Sequence, residues 1–337
     1  MKNGYERLVK PLLFLTDPET AHHFAINCFR GVSHLAPALN TLKRFAPTPK
    51  PRTLFGINFP NPSGLAAGLD KNGVALPVWE ALGFGFIEIG TITAQAQTGN
   101  PKPRVFRFPE QRALINRLGF NNDGADTIAD RLIKLKRSGR WPAVPVGINI
   151  GKSMTTPVEE ANADYLYSFQ RLREFADYIV LNVSSPNTPG LRELQGTGAL
   201  AALVGAIAQN NATTPKPVVV KIAPDLTPEQ LNDLIATCEA NRVAAIIATN
   251  TTLDHSSIPA EQDQPGGLSG APLREKSTAL VRSIAAKSKL PIIASGGIVD
   301  AQSAREKFQA GAQLIQIYTG LIYRGPGLLR EIAEGIE

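Results

Sequence analysis

Short apolar runs recur along most of the chain, at 64–67, 86–89, 144–150, 178–183, 218–222, 244–248, 291–294 and 314–317. They are rich in β-branched residues and lack polar alternation, which predicts eight strands buried on both faces, as in a parallel sheet. Stretches of helical period lie between them, at 128–135, 227–240 and 301–310. Strand and helix alternating over residues 51–337 predict an α/β fold, a (β/α)8 TIM barrel, whose usual size is roughly 250 residues. An open doubly wound sheet is the competing architecture, but no G-x-G-x-x-G follows the first run.

The first 50 residues follow another pattern. Asp17 before Pro18 is an N-cap with proline in the first helical position, where the missing N–H costs nothing. Ala21, Phe24, Ala25, Cys28, Phe29, Val32 and Leu35 then recur at three and four, an apolar stripe on one helix face. Leu8, Leu12, Leu13, Phe14 and Leu15 predict a smaller helix beside it. Pro37, Pro47, Pro49 and Pro51, with the pair Lys43-Arg44, break the periodicity and read as a linker. The reading is of two units, a small N-terminal helical extension over 1–50 and a barrel over 51–337.

Composition narrows the function classes. With 43% hydrophobic and 19% charged residues the chain is an ordinary globular protein. Cys28 and Cys238 are its only cysteines and stand far apart, so neither a disulfide framework nor a zinc site is expected. No uncharged apolar stretch reaches the roughly 18 residues that span a bilayer, and no signal-peptide pattern opens the chain. The formal charge is +6, and residues 1–50 carry a net of +4 of it, from seven Lys/Arg (Lys2 among them) against three acids. Beyond Lys50 no basic run follows, so a nucleic-acid partner is not expected.

The ends of the apolar runs are where a barrel assembles its chemistry. They hold Asp70 and Lys71, Gly90 and Thr91, Asn149, Asn182, Lys221, Thr249 to Thr251, Gly296-Gly297, and Tyr318-Thr319-Gly320. Amides and glycines dominate, with two lysines, no histidine and no carboxylate except Asp70. Such a set argues against paired-carboxylate glycoside hydrolysis and against metal catalysis. It favours a polar cofactor, with a phosphate on the glycine-rich turns after the last two strands. Ser184-Ser185-Pro186-Asn187, straight after the fourth run, is read either as a plain turn or as part of the site.

These residues also carry a family resemblance. GLAAGLDKNG (64–73), INRLGFNN (115–122), GINIGK (147–152), NVSSPNTPGLR (182–192), VKIAPDL (220–226), ATNTT (248–252), GGLSG (266–270) and SGGI (295–298) resemble dihydroorotate dehydrogenase, and DPETAHHFA (17–25) resembles its membrane-associated, quinone-using class 2 branch. The likeness runs almost end to end. The loop TITAQAQTGNPKPR (91–104) departs from it, carrying Ala94, Ala96 and Thr98 where many relatives place prolines, which bears on the stiffness of that loop.

The resemblance implies an enzyme of pyrimidine synthesis that oxidises dihydroorotate to orotate on one noncovalent FMN and passes the electrons to a membrane quinone. It implies flavin contacts at Ala66, Ala67, Gly68, Thr91, Asn149, Asn182, Lys221 and Thr249, with the phosphate on Gly270, Gly297, Tyr318 and Thr319. The pyrimidine would be held by Lys71, by Asn116, Arg117, Leu118, Gly119 and Phe120, and by Asn187, Asn250 and Thr251. Ser185 matches the family's base, Thr188 the partner that relays its proton, and Phe120 a residue screening the site. His22, Arg107 and Tyr318 match the lining of the quinone tunnel. A peripheral place on the cytoplasmic face of the cell membrane follows, with lipid as a partner and no obligatory protein partner. The first fifty residues are expected to serve the electron acceptor rather than the pyrimidine. Two other readings stand beside this one: another FMN barrel such as a tRNA dihydrouridine synthase, which relies on a catalytic cysteine, and a noncatalytic membrane-surface module built on the basic N-terminus.

Overall fold

A computed structural model describes residues 4–212 and 215–336, so Lys2, counted in the N-terminal charge, lies outside the described residues. All eight runs become strands: β1 (Ser63–Leu65), β2 (Phe86–Ile92), β3 (Val146–Ile150), β4 (Tyr178–Asn182), β5 (Val218–Ile222), β6 (Ala245–Ala248), β7 (Ile292–Ser295) and β8 (Leu314–Ile317). Each pairs in parallel with the next, and β8 closes on β1 through Ile317 opposite Leu65. The expected barrel is therefore the observed one.

Outward residues of the strands, such as Ile87, Ile89, Ile148 and Leu181, pack against the surrounding helices in the main core. Inward residues fill the lower barrel with a second core built on Phe59, Phe86, Tyr178, Val219 and Ile247. Large rings fit there because small residues face them. A Cβ on Gly64 would sit 2.2 Å from the Phe86 ring, and one on Gly147 would sit 2.2 Å from that of Tyr178. A hairpin, Arg52–Leu54 with Ile57–Phe59, covers this end and sends Phe59 edge-on to Phe86 at 5.3 Å. The bottom is thus plugged, and the site is left to the other end.

Two further features surround that end. Val105–Phe108, Ala113–Asn116 and Gly267–Gly270 form a small antiparallel sheet that the periodicity did not reveal. Beyond it lie the N-terminal helices α1 (Lys10–Phe14), α2 (Pro18–Val32) and α3 (Ala36–Lys43). Asp17 caps α2 as expected, its carboxylate accepting from Thr20 N–H at 2.9 Å. The linker reading of 36–43 is corrected: Pro37 stands in the first turn of α3, where its ring fits, and starts a helix instead of breaking one. The apolar stripe lies on one side of α2, where Ala21, Phe24, Ala25, Cys28 and Phe29 share one chamber. Ile26, Phe29 and Val32 pack on the barrel, whereas Phe24, Cys28 and Leu35 stay exposed. The helix buries one edge only, because its other edge overlooks an open chamber.

Candidate active site

The open end of the barrel holds a cavity of about 990 Å³. Of the residues expected around a flavin, Ala66, Ala67, Gly68, Thr91, Asn182, Lys221, Thr249, Gly270, Tyr318 and Thr319 line it. Asn149 and Gly297 stand just behind the wall. Asn149 is fully buried and accepts from Thr91 Oγ1 at 2.6 Å. Gly296 rather than Gly297 faces the cavity, together with Ser295.

Hydrogen bonds between the strand ends fix the wall. Asn182 Nδ2 donates to Thr91 Oγ1 at 2.8 Å, and Ser184 Oγ donates to Asn182 Oδ1 at 3.0 Å. Asn250 Nδ2 in turn donates to Ser184 Oγ at 3.0 Å. Ser184 is thereby committed to the scaffold. Ser185 is the serine that lines the cavity, its Oγ accepting from Asn187 N–H at 3.2 Å. Thr188, three residues on, is buried, and its Oγ1 has no hydrogen-bond partner among the described residues.

The residues expected to hold the pyrimidine come together too. Lys71, Asn116, Leu118, Gly119, Phe120, Asn187, Asn250 and Thr251 share the cavity wall. Asn187 Nδ2 donates to the Asn116 carbonyl at 3.0 Å, joining the loop after β4 to the small sheet. Phe120 sits at φ 53°, an unfavourable region for a bulky residue, and Asn122 Nδ2 holds its carbonyl at 2.7 Å. Arg117 is the exception. Its guanidinium turns outward to the carbonyls of Pro265 and Pro103 and stacks over Phe106 at 4.8 Å, so it holds backbone and not the cavity.

Asp70 and Glu88 divide the acidic roles. The buried Asp70 carboxylate accepts from Val74 N–H, Ala75 N–H and Trp79 Nε1, so it anchors the turn after β1 and leaves Lys71 to face the cavity. Glu88 was not among the expected residues. It projects into the barrel from β2, wholly buried, and takes hydrogen bonds from Asn149 Nδ2 at 2.8 Å and from Gln316 Nε2. Lys221 Nζ lies 3.6 Å from it. A single acid inside an otherwise apolar run was the available signal, since a buried charge demands a partner.

A second chamber of about 1490 Å³ opens between α1, α2 and the barrel. His22, Arg107 and Tyr318 line it, together with apolar side chains that include Phe14, Phe24, Phe29 and Leu321. Arg107 is held by the Leu13 carbonyl at 3.0 Å and lies over the Phe14 ring at 4.5 Å. Burial, helped by the charges of Lys71 and His23, holds the His22 imidazole well below its ordinary pKa, which keeps it neutral near pH 7. Lys71, Leu118 and Tyr318 belong to both chambers and form the wall between them. Neither cysteine reaches the barrel cavity: Cys28 is exposed on α2 and Cys238 is buried in the helix Pro228–Ala240.

A polar barrel mouth of amides, hydroxyls and two lysines, walled off from an apolar chamber by three side chains, suits electron transfer between two unlike substrates. That places the chain among the barrel oxidoreductases. The family model for dihydroorotate dehydrogenase matches residues 51–337. A relative from Salinispora arenicola named dihydroorotate dehydrogenase (quinone) is 49% identical over 98% of this chain and 98% of its own length. One of the same name from Gloeobacter violaceus is 48% identical over 97% and 92%. The crystal structure of Eimeria tenella DHODH in complex with ferulenol superposes with a TM-score of 0.86, at 34% identity, covering 95% of this chain and 90% of that one. The chain belongs to the dihydroorotate dehydrogenase family, in its quinone class.

Proposed function

We propose that this chain oxidises (S)-dihydroorotate to orotate in pyrimidine biosynthesis, on one noncovalent FMN, with a quinone as the electron acceptor. The observation that carries the reading is the pair of unlike chambers meeting at Lys71, Leu118 and Tyr318. A charged pyrimidine suits the first and a hydrophobic quinone the second.

The family depends on a flavin, and the residues present fit one. Gln316 Oε1 and Thr251 Oγ1 are buried without a partner among the described residues. Lys221, Asn182 and Thr249 present donors and acceptors beside them, and the first N–H groups of the helix Thr319–Arg324 have no acceptor within that helix. Those groups, with Gly270 and the Gly296-Gly297 turn, would hold the phosphate, while Ala66, Ala67 and Gly68 let the ring approach the backbone. When bound, the flavin would take hydride from C6 of the pyrimidine.

The side chains supply the rest. Lys71 offers a cation to the pyrimidine carboxylate, and Asn116, Asn187 and Asn250 match its ring amides. Ser185 Oγ would remove the C5 proton, which lies α to a carbonyl, and pass a proton on toward Thr188. Phe120 screens that corner from water. The lysine opposite Glu88, Lys221, would offset negative charge on the reduced cofactor.

Membrane contact is peripheral in this reading, on the cytoplasmic face. No helix among the described residues is long and apolar enough to cross a membrane. Among the described residues, seven of the nine exposed large hydrophobic ones (Leu8, Val9, Leu12, Leu15, Phe24, Leu35 and Phe45) lie in the N-terminal helical segment. An apolar face among basic residues lies at a headgroup boundary without crossing it.

The test is single-turnover flavin reduction by dihydroorotate. Ser185→Ala should retain flavin and bind orotate while reduction slows by about 10²- to 10⁴-fold, the usual contribution of a base. Near wild-type reduction across pH would reject Ser185, and an equal loss in Ser184→Ala alone would transfer the role.

A further inference from the structure

The N-terminal segment was expected to serve the electron acceptor only, yet one of its side chains, lining the acceptor chamber, is bonded to a loop that packs against the pyrimidine site. Glu19 is the sole buried residue of α2, with 4% of its surface exposed, and Arg104 opposite it has 6%. Arg104 Nε lies 3.2 and 3.1 Å from the two carboxylate oxygens, and Nη2 lies 2.6 Å from Oε1. Lys102 Nζ and His23 Nε2 stand at 3.6 and 3.4 Å from the same oxygen. Burial would raise the Glu19 carboxyl, but Arg104, Lys102 and His23 outweigh it and hold its pKa at about 2. It is therefore charged at any working pH.

Arg104 spends its remaining donor elsewhere. Nη1 donates to the carbonyls of Thr98 and Asn100, at 2.6 and 2.8 Å. Asn100 is the next joint. Its N–H donates to the Leu118 carbonyl at 3.1 Å, and its Nδ2 donates to the carbonyls of Arg117 at 2.9 Å and Asn187 at 3.3 Å. Leu118 and Asn187 both line the barrel cavity. The first ten residues of the loop, Thr91 to Asn100, contain no proline; Pro101 and Pro103 stand on its return to Arg104. Its fit against Arg117, Leu118 and Asn187 is held by hydrogen bonds, and the central cation among them is balanced by a carboxylate from the acceptor side.

We propose that Glu19 is a positioning residue for the pyrimidine site, acting through Arg104 and Asn100 so that seating of α2 orders the loop over the substrate. This rests on the functional reading above for the identity of the substrate. Loss of the carboxylate charge leaves a buried guanidinium without its anion. The guanidinium then turns toward water, releases the Thr98 and Asn100 carbonyls, and loosens Leu118 and Asn187. Dihydroorotate binding and acceptor access are coupled in this way in addition to the wall of Lys71, Leu118 and Tyr318 that both chambers share.

The experiment uses full-chain flavin-loaded protein carrying Glu19→Gln, with hydrogen exchange at the Asn100 amide and orotate affinity from the visible flavin spectrum as readouts. The expected result is faster exchange at Asn100 without any ligand and orotate binding weakened about tenfold, a size usual for coupled sites. Glu19→Asp should restore part of both. Asn100→Ala, which leaves α2 and the ion pair in place, should weaken orotate by a similar factor. Unchanged Asn100 exchange in Glu19→Gln overturns the coupling, as does unchanged orotate affinity in either variant, even if reoxidation of the flavin by quinone is impaired. Failure of the wild-type chain to bind orotate strikes the functional reading instead, and the exchange measurement still decides the coupling.

Discussion

Lys71 carries more of the proposed chemistry than any other single side chain, and its burial makes that role depend on pH. Burial, with Arg104 close by, lowers its ammonium to about 8 against the opposing charges of Glu19 and Asp70. The cation is present below that value and lost as pH rises through it. Orotate affinity should therefore hold steady through neutrality and fall above pH 8, approaching tenfold per unit, and in Lys71→Met it should be weak and flat. A wild-type affinity unchanged into alkaline solution would show that another group holds the carboxylate. Lys71, Asn182, Lys221 and Asn250 could be picked out from the chain alone because each stands at the end of an apolar run. Glu88 left only one signal, a lone acid inside such a run, and its partner Lys221 comes from a distant strand that the chain alone does not pair with it. Arg117 was placed in the site with its neighbours, but a long side chain in a strand-end loop has two directions open to it, and the carbonyls of Pro103 and Pro265 took it outward.

The glycine turn after β7 has a structural reason to be glycine beside the role proposed for it. Gly297 was expected to let backbone meet phosphate, so that a larger residue would simply expel the cofactor. Its φ of 72° and the 2.2 Å from its would-be Cβ to Arg274 Cα show a turn wedged against the helix Arg274–Lys287. Gly297→Val should thus lower the melting temperature of flavin-free protein by several degrees, as well as lowering flavin content. Unchanged stability with full flavin occupancy would contradict this placement of the turn. The barrel strands were legible because burial on both faces makes them mostly apolar runs, with most of their polar residues, such as Asn149, Asn182 and Lys221, near the ends that face the site. The small sheet was not, since Val105–Phe108 leaves most of its side chains only partly buried and so forms no apolar run. The helix Ala36–Lys43 was missed because proline is read as a breaker unless its place in the first turn is known.

The molecule as a whole is a plugged barrel whose open end faces two ways. Its N-terminal segment is tied down by Glu19 to Arg104, by Arg107 to the Leu13 carbonyl and by Tyr5 Oη to the Ile322 carbonyl at 2.8 Å, yet its outer face remains apolar and exposed. Polar ties on the inner side and bare leucines on the outer side suit a segment that stays attached while it meets lipid. In the proposed reaction one flavin at the barrel mouth takes electrons from dihydroorotate and gives them to a quinone. Anaerobic titration of the purified holoprotein with dihydroorotate follows that transfer. The visible flavin absorbance should bleach completely, with one orotate formed per chain, and return on addition of a quinone. A colourless protein, or a flavin that dihydroorotate leaves oxidised, would contradict the account.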